Sequence, residues 1–370
     1  MDYFLSQREE FLSFIKEIVE METPSASRDS VNKLTHLFEK RFHEIGAQTR
    51  ILDGSPQGDN LLITYGEGTE TILFLGHMDT VWPNGTLAKM PFRVEEEKIS
   101  GPGVFDMKTG LAMVWFVLKA MKDLGNKPQK KIMALFTSDE EIGSLTSKKY
   151  ITEYAKDCKA VLVMEPSEKG ALKTFRKGIG VVKVNIKGKA AHAGLNHKDG
   201  RSAIKELALL ILEAEKLTDY DKGITVNAGV FHGGTASNVV PAEAYAEIDF
   251  RFNETADGEK VENFFKSYKP QIEGTEITIS GGVDRGPLVR TEQVIALFEK
   301  ACACAKEMNI DLQEMSVGGA SDGNLTSAMG IPTLDGLGPV GEGAHADQEH
   351  IMLTESLQRT ALLYKLLLSI

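Results

Sequence analysis

The chain has 370 residues, more than a single hydrophobic core usually organises, so two domains are expected. It carries 53 acidic and 42 basic residues, and the net charge of -11 argues against nonspecific binding to nucleic acid or to anionic membranes. The N-terminus lacks the basic start and apolar run of a signal peptide, and no segment reaches transmembrane length. These features predict a cytoplasmic protein that binds neither nucleic acid nor membrane.

The cysteines are too few for a disulfide framework and suit a reducing compartment as structural thiols. There are three of them, Cys158, Cys302 and Cys304. Cys302 and Cys304 lie two residues apart in a predicted helix and point to different faces, so they are not expected to share a metal.

The first half of the chain alternates helical and strand patterns. Apolar residues recur at helical spacing over 9–21 and 29–45, and another helix is predicted near 107–124. Short apolar runs typical of buried strands occupy 60–65, 71–76, 131–137 and 160–164. The alternation predicts an α/β sheet.

A different order begins near Lys177. It reads strand, helix, strand, strand, helix, strand, at 180–187, 202–217, 225–231, 242–252, 258–268 and 276–280. This is the βαββαβ plan of ferredoxin-like domains. After Gly286 and Pro287 the α/β pattern returns, with helices at 292–307 and 354–368. The sequence therefore predicts a discontinuous α/β domain, 1–176 and 287–370, interrupted by an inserted ferredoxin-like domain, 177–286.

Ligand-type residues follow several of the predicted strands, where open α/β sheets place their sites. In LGHMDT (75–80), His77 leaves a buried strand and Asp79 is close enough to orient its imidazole. Taken alone, this pattern equally fits a hydrogen-bonded core histidine. Asp106, in GPGVFDMKTG (101–110), precedes a helix and could instead cap it.

Further acids follow the later strands. Glu140 and Glu141 lie in SDEEIG (138–143), where adjacent acids repel unless cations compensate them, although a solvated acidic loop is the alternative. Glu165, in MEPS (164–167), ends another apolar strand.

The last segment is GAHAD (343–347), where His345 competes with nearby His350 and spacing alone does not choose between them. The whole set offers ligands for paired zinc ions, which lie roughly 3.5–4 Å apart in two-metal hydrolases, with Asp106 able to bridge them.

These motifs together resemble, in order and spacing, the zinc family of aminoacylase, acetylornithine deacetylase, succinyl-diaminopimelate desuccinylase and glutamate carboxypeptidase. The resemblance spans essentially the whole chain and implies two zinc ions per subunit. It implies that His77, Asp106 and Glu165 hold one zinc and that Asp106, Glu141 and His345 hold the other. Glu140 would be the general base and Asp79 the partner of His77. The resemblance favours His345 over His350.

Two motifs of the inserted domain extend the resemblance. GKAAHAG (188–194) is similar to the family's histidine loop, and HGGTASNVVP (232–241) to its asparagine turn, which contains Asn238. By resemblance, His192 polarises the scissile carbonyl in the partner subunit's site, which implies a homodimer. Asn238 and His192 would contribute to substrate binding, and Arg251 would bind the substrate carboxylate. Without the family, His192 is an exposed loop histidine and Arg251 an ordinary strand charge.

The predicted reaction is hydrolysis of an amide bond next to a free carboxylate, with Glu140 taking a proton from water and returning it to the leaving amine. The complete histidine and asparagine motifs resemble glutamate carboxypeptidases more than desuccinylases, so the expected substrate is a small peptide that releases glutamate or a similar amino acid. Deacylation of N-acyl amino acids is the alternative. A non-catalytic binding protein on the same scaffold is disfavoured, because such a protein would be expected to lack a metal ligand or the base, and this sequence lacks neither. A serine hydrolase is disfavoured because no Gly-x-Ser-x-Gly elbow is present.

Overall fold

The computed structural model describes residues 1–370 and divides into two compact units. The first is discontinuous and consists of Met1–Phe175, Leu288–Val317 and Ser321–Ile370. The second consists of Arg176–Pro287 together with Gly318–Ala320. The inserted unit is thus one residue longer at each end than the sequence predicts, and it gains a short loop from the C-terminal third of the chain.

The secondary structure comprises ten α-helices and eighteen strands. The helices are α1 (Asp2–Ser6), α2 (Arg8–Val19), α3 (Arg28–Glu44), α4 (Thr109–Asp123), α5 (Lys148–Ala155), α6 (Ala203–Glu215), α7 (Thr255–Ser267), α8 (Glu292–Lys306), α9 (Gly323–Ala328) and α10 (Leu353–Ser369). The strands are β1 (Gln48–Leu52), β2 (Asn60–Tyr65), β3 (Thr71–His77), β4 (Arg93–Glu95), β5 (Lys98–Ser100), β6 (Lys131–Thr137), β7 (Ala160–Val163), β8 (Leu172–Arg176), β9 (Gly178–Lys187), β10 (Ala191–His192), β11 (Thr225–Gly233), β12 (Val239–Val240), β13 (Glu243–Phe252), β14 (Glu276–Arg285), β15 (Glu314–Val317), β16 (Thr333–Leu334), β17 (Gly341–Glu342) and β18 (His350–Met352).

The first unit is built on a six-stranded sheet in the order β1-β2-β6-β3-β7-β16. Strand β3 pairs in parallel with β6 and β7, so these three strands end at the same edge of the sheet. Buried residues cover nearly the whole length of β3 and β6, as expected for strands with helices on both faces.

Helices cover both faces of this sheet. Alternate residues of β3 separate into two cores, since Ile72 and Phe74 join one cluster and Leu73 and Leu75 join the other. The larger cluster contains residues of α2, α3, α4 and α10, and the smaller contains residues of α5 and α9. Helix α4 is buried on almost all sides, which explains its apolar sequence.

The inserted unit has a four-stranded antiparallel sheet in the order β11-β13-β9-β14. Helices α6 and α7 pack on this sheet, and their apolar faces share one core with the inward residues of β9 and β13. The element order is βαββαβ, and the predicted ferredoxin-like class is confirmed.

All three cysteines are free thiols. Cys302 Sγ faces the carbonyl of Leu312, whereas Cys304 Sγ faces the hydroxyl of Ser369. None of the helices has the length and apolar character needed to cross a lipid bilayer. The cytoplasmic location stays a prediction.

Candidate metal centre and active site

The predicted ligands of the first unit lie where its parallel strands end. His77 is the last residue of β3 and is 2% exposed. Glu140 and Glu141 begin a short 3₁₀ turn after β6, and Glu165 lies two residues beyond the end of β7. The carboxyl ends of neighbouring parallel strands meet at one edge, and this geometry brings the side chains together.

His77 uses both ring nitrogens. Its Nε2 lies 3.2 Å from Asp106 Oδ1 and 3.6 Å from Glu165 Oε1. Its Nδ1 lies 2.9 Å from the backbone carbonyl of Asp79 and 3.5 Å from the Asp79 carboxylate. The ring is thus oriented chiefly by the Asp79 carbonyl, with the carboxylate that the sequence favours as the longer contact.

His345 approaches the same aspartate from the other side. Its Nε2 lies 3.3 Å from Asp106 Oδ2 and 3.1 Å from Glu141 Oε2. The two oxygens of Asp106 therefore face two different histidines. His345 has φ +61°, an uncommon conformation for a residue other than glycine. His350 instead turns its Nδ1 to the carbonyl of Gln348.

The electrostatics of this cluster are dominated by negative charge. Burial lowers the pKa of His77, yet its carboxylate neighbours, led by Asp106, raise it well above the ordinary value. Hydrogen bonds to Asp106 and Glu141 raise the pKa of His345 to about 10. The carboxylates outnumber the imidazoles by five to two, and they are Asp79, Asp106, Glu140, Glu141 and Glu165. Two protonated imidazoles leave an excess of negative charge that a bound cation would compensate.

One buried oxygen tests whether these residues fit a metal. Glu141 Oε1 is buried and has no hydrogen-bond partner, and burial raises the pKa of this carboxyl group. A buried acceptor of this kind is costly unless a cation or a donor meets it. Ligand atoms of His77, Asp106 and Glu141 lie within 4.8 Å of one another, as do those of His77, Glu140 and Glu165. The donor set fits divalent metal ions that take nitrogen and oxygen ligands.

Asp79 supports the loop that carries the two glutamates. Its buried carboxylate accepts hydrogen bonds from the Ser25 hydroxyl at 2.6 Å and from the backbone N–H groups of Glu140 and Glu141, both at 3.2 Å. Ser25 was not identified from the sequence, because it lies 54 residues before Asp79 without any local motif.

Glycines let the Asp106 segment pack closely. Gly103 has φ +72°, and a Cβ there would lie 2.6 Å from Thr80 Cγ2. A Cβ on Gly110 would lie 2.3 Å from the carbonyl oxygen of Met164. The glycines of the GPGVFDMKTG motif therefore serve the close approach of backbones as well as the turn.

Glu349 is a second residue that the sequence did not identify. It is fully buried, and burial raises its pKa to about 7. Its carboxylate accepts the backbone N–H groups of Gly103, Phe105 and Asp106, each at 2.9 Å, and the indole N–H of Trp82 at 2.7 Å. Its position four residues after His345 is the sequence feature that could have identified it.

The remaining predicted site residues belong to the inserted unit. His192 in β10 pairs with Val239 in β12, and the N–H of Ala193 donates to the carbonyl of Asn238. Both His192 and Asn238 are exposed. The His192 Nδ1 accepts the N–H groups of Gly194 and Leu195, at 3.1 and 3.2 Å, which assigns the ring proton of the neutral imidazole to Nε2.

Arg251 lies near the end of β13 and already has a carboxylate partner. Its Nε and Nη2 donate to the two oxygens of Asp249 at 2.8 and 2.7 Å. The guanidinium side chain is 32% exposed. The same planar fork could receive a substrate carboxylate, which would compete with Asp249.

Comparison with known proteins decides the family. The sequence profile of peptidase family M20/M25/M40 matches residues 73–369, most of the chain. The chain belongs to this family. M20 proteins are hydrolases, and the predicted zinc peptidase and deacylase resemblance and the predicted enzyme class are thereby confirmed.

M20 relatives of this chain act on several kinds of substrate. It is 33% identical to carboxypeptidase G2 of a Pseudomonas species, covering 93% of this chain and 85% of that protein. It is 26% identical to succinyl-diaminopimelate desuccinylase of Stenotrophomonas maltophilia, covering 80% and 83%. The aminopeptidase PepT of Bacillus cereus shares the fold, with a TM-score of 0.79, 23% identity and coverage of 97% and 98%.

Proposed function

We propose that this M20 enzyme is a two-zinc carboxypeptidase that hydrolyses an amide bond next to a free carboxylate and releases glutamate or a similar amino acid. The observation that carries the proposal is the position of Asp106, whose two carboxylate oxygens face different histidines. Each of these histidines also lies close to a glutamate, His77 to Glu165 and His345 to Glu141. The 33% identity to carboxypeptidase G2 favours the carboxypeptidase reaction within the family.

The proposed ligands divide into two groups around Asp106. His77, Glu165 and Asp106 would hold one metal, and Glu141, His345 and Asp106 would hold the other. Paired zinc ions in such a site lower the pKa of water and polarise a carbonyl group.

Glu140 is the proposed proton carrier. Its N–H is anchored on Asp79, and a carboxylate oxygen lies within 4.8 Å of ligand atoms of His77 and Glu165. From this position Glu140 accepts a proton from the attacking water and later donates it to the nitrogen of the leaving amine.

His192 is proposed to donate its Nε2–H to the oxygen of the scissile carbonyl. The tautomer described above supplies that donor without a positive charge. A donor aimed at the developing oxyanion contributes to catalysis because it needs no reorganisation during the reaction.

The sheet of the inserted unit separates His192 from Arg251. His192 and Asn238 lie beside β12, which precedes the start of β13, whereas Arg251 is the ninth residue of that ten-residue strand. Eight steps along a strand span roughly 26 Å, too far for one dipeptide to reach both ends. This separation supports a homodimer in which His192 and Arg251 of one subunit serve different active sites.

The proposed dimer contact is the β11 edge of the inserted sheet. Strand β11 lies at that edge and exposes Val230 and Phe231, and α6 exposes Leu212 to 61%. An unpaired strand edge with apolar side chains favours pairing with another strand, and a second copy would supply the same edge through a two-fold axis.

Deacylation of N-acyl amino acids is the second candidate, since the desuccinylase relative shares 26% identity over 80% of this chain. Metal analysis and a matched screen of N-acyl amino acids and dipeptides test both. About two zinc ions per chain and preferential cleavage of peptides ending in glutamate would support the proposal. Preferred cleavage of simple acyl groups would favour the second candidate, and full activity with one metal would contradict the bridging role of Asp106.

A further inference from the structure

The loop that carries His345 and the loop that carries Asp106 are joined by one buried side chain. Strand β18 pairs antiparallel with β17 and with β5, so the His345 loop (343–349) closes a hairpin beside the strand that leads into Asp106. Glu349 is the last residue of that loop, and its carboxylate faces the opposite loop.

The Glu349 carboxylate accepts four hydrogen bonds, three of them from backbone N–H groups of the Asp106 loop. Oε1 accepts the N–H groups of Phe105 and Asp106, and Oε2 accepts those of Gly103 and the Trp82 indole. The three backbone donors of the Asp106 loop, held on one buried carboxylate, leave little freedom to the backbone at Asp106.

We infer that Glu349 is a positioning residue that holds Asp106 in its bridging orientation and ties it to the His345 loop, so that both metal positions depend on a side chain that is not itself a ligand. The inference rests on the proposed two-metal centre. Supporting residues around metal ligands typically contribute about 10- to 100-fold to metal affinity or activity. Because Asp106 would serve both metals, the loss should fall on both positions, unlike a change at Glu165 or Glu141.

The test is cobalt(II) titration of metal-free protein, followed by visible absorption, for the wild type, Glu349→Gln and Asp347→Asn. The last variant makes the same chemical change at an exposed position of the same loop. Glu349→Gln places an amide NH₂ against donors, so we expect affinity to fall by about 10- to 100-fold at both positions and the cobalt spectrum to change. Asp347→Asn should match the wild type.

The outcomes separate this inference from the proposed function. If the wild type binds a single cobalt ion, the proposed two-metal centre is contradicted. If the wild type binds two and Glu349→Gln has the same affinity and spectrum, only the role of Glu349 is overturned, and equal losses in Glu349→Gln and Asp347→Asn overturn it as well.

A further variant keeps the test decisive if Glu349→Gln does not fold. Trp82→Phe removes one donor to the carboxylate and should weaken cobalt binding by about 2- to 10-fold. Unchanged affinity would count against the inference. Where Glu349→Gln does fold, combining it with Asp106→Asn should cost less than the sum of the single losses, because both changes act through the same ligand. Additive losses would mean that Glu349 acts elsewhere.

Discussion

The discontinuous unit and the inserted unit carry their proposed site residues in opposite ways. His77 and Asp79 are 2% and 0% exposed, and each has defined partners in the same unit. His192, in the two-residue strand β10, and Asn238, in a turn, are exposed, and the His192 ring contacts the N–H groups of Gly194 and Leu195. His77 and Asp79 are therefore held by contacts within the first unit, whereas the exposed groups of the inserted unit are proposed to engage a substrate or a second subunit.

The largest expected effect comes from a substitution in the proposed metal centre of the first unit. Glu140→Gln should keep both metals and lower kcat by about 10²–10⁴-fold, because it removes the proton carrier while preserving size. Glu141→Gln should instead weaken one metal position, since it changes a proposed ligand. Metal content and kcat measured for both variants check the assignment, and equal metal loss in the two would show that base and ligand are wrongly assigned.

The exposed residues of the inserted unit are tested with His192→Ala. This variant should retain zinc and lower kcat by about 10²–10³-fold, because it loses a donor to the oxyanion. Mixing it with Glu140→Gln should restore activity. Random exchange makes about half the dimers mixed, each with one intact site, so roughly a quarter of wild-type activity should return. A tag pull-down verifies exchange. Mixed dimers without activity would show that His192 does not serve the partner's site.

Arg251→Ala tests whether a second residue of the inserted unit binds the substrate. Loss of a charged hydrogen bond to the substrate carboxylate should lower kcat/KM by about 10- to 100-fold, mainly through KM. Lys183→Ala is the matched control, since it removes a positive charge from the neighbouring strand β9. Kinetics on a peptide and on its C-terminal amide separate the roles. If Arg251→Ala discriminates between the two substrates as well as the wild type does, the guanidinium does not read the carboxylate.

The smallest effect concerns protons at the metal centre. The pKa of His345 is raised to about 10, so its protonated form stabilises the metal-free fold fully below about pH 6.5, and that stabilisation is lost as pH rises through about 10. A metal ion bound by His345, as proposed, must displace this proton, and the pKa of His77 is raised as well. Calorimetry at pH 7.5 in buffers of different ionisation enthalpy should show release of about two protons on zinc uptake. His345→Ala should release about one fewer, and His350→Ala should not differ from the wild type.

The sequence predicted the sheet because its strands are continuous apolar runs, and it predicted the ligand set because those runs end in acids and histidines. Residue spacing alone could not choose between His345 and His350, which lie five residues apart in the sequence. The hairpin of β17 and β18 makes the difference, since it presents His345 at its tip and leaves His350 in the strand. That choice depends on strand register, which local composition does not encode.

Hydrophobic periodicity and strand ends are local properties of the sequence, and they were enough to predict the fold class, the inserted βαββαβ unit and the residue types of the candidate metal centre. Four contacts became visible only in the folded protein: Glu349 with the Asp106 backbone, Ser25 with Asp79, the Asp79 carbonyl with His77, and Asp249 with Arg251. The contacts of Glu349 and Ser25 join segments far apart in the chain, and the other two join residues two positions apart whose backbone conformation sets the contact. Only the packed molecule brings such groups within hydrogen-bond distance.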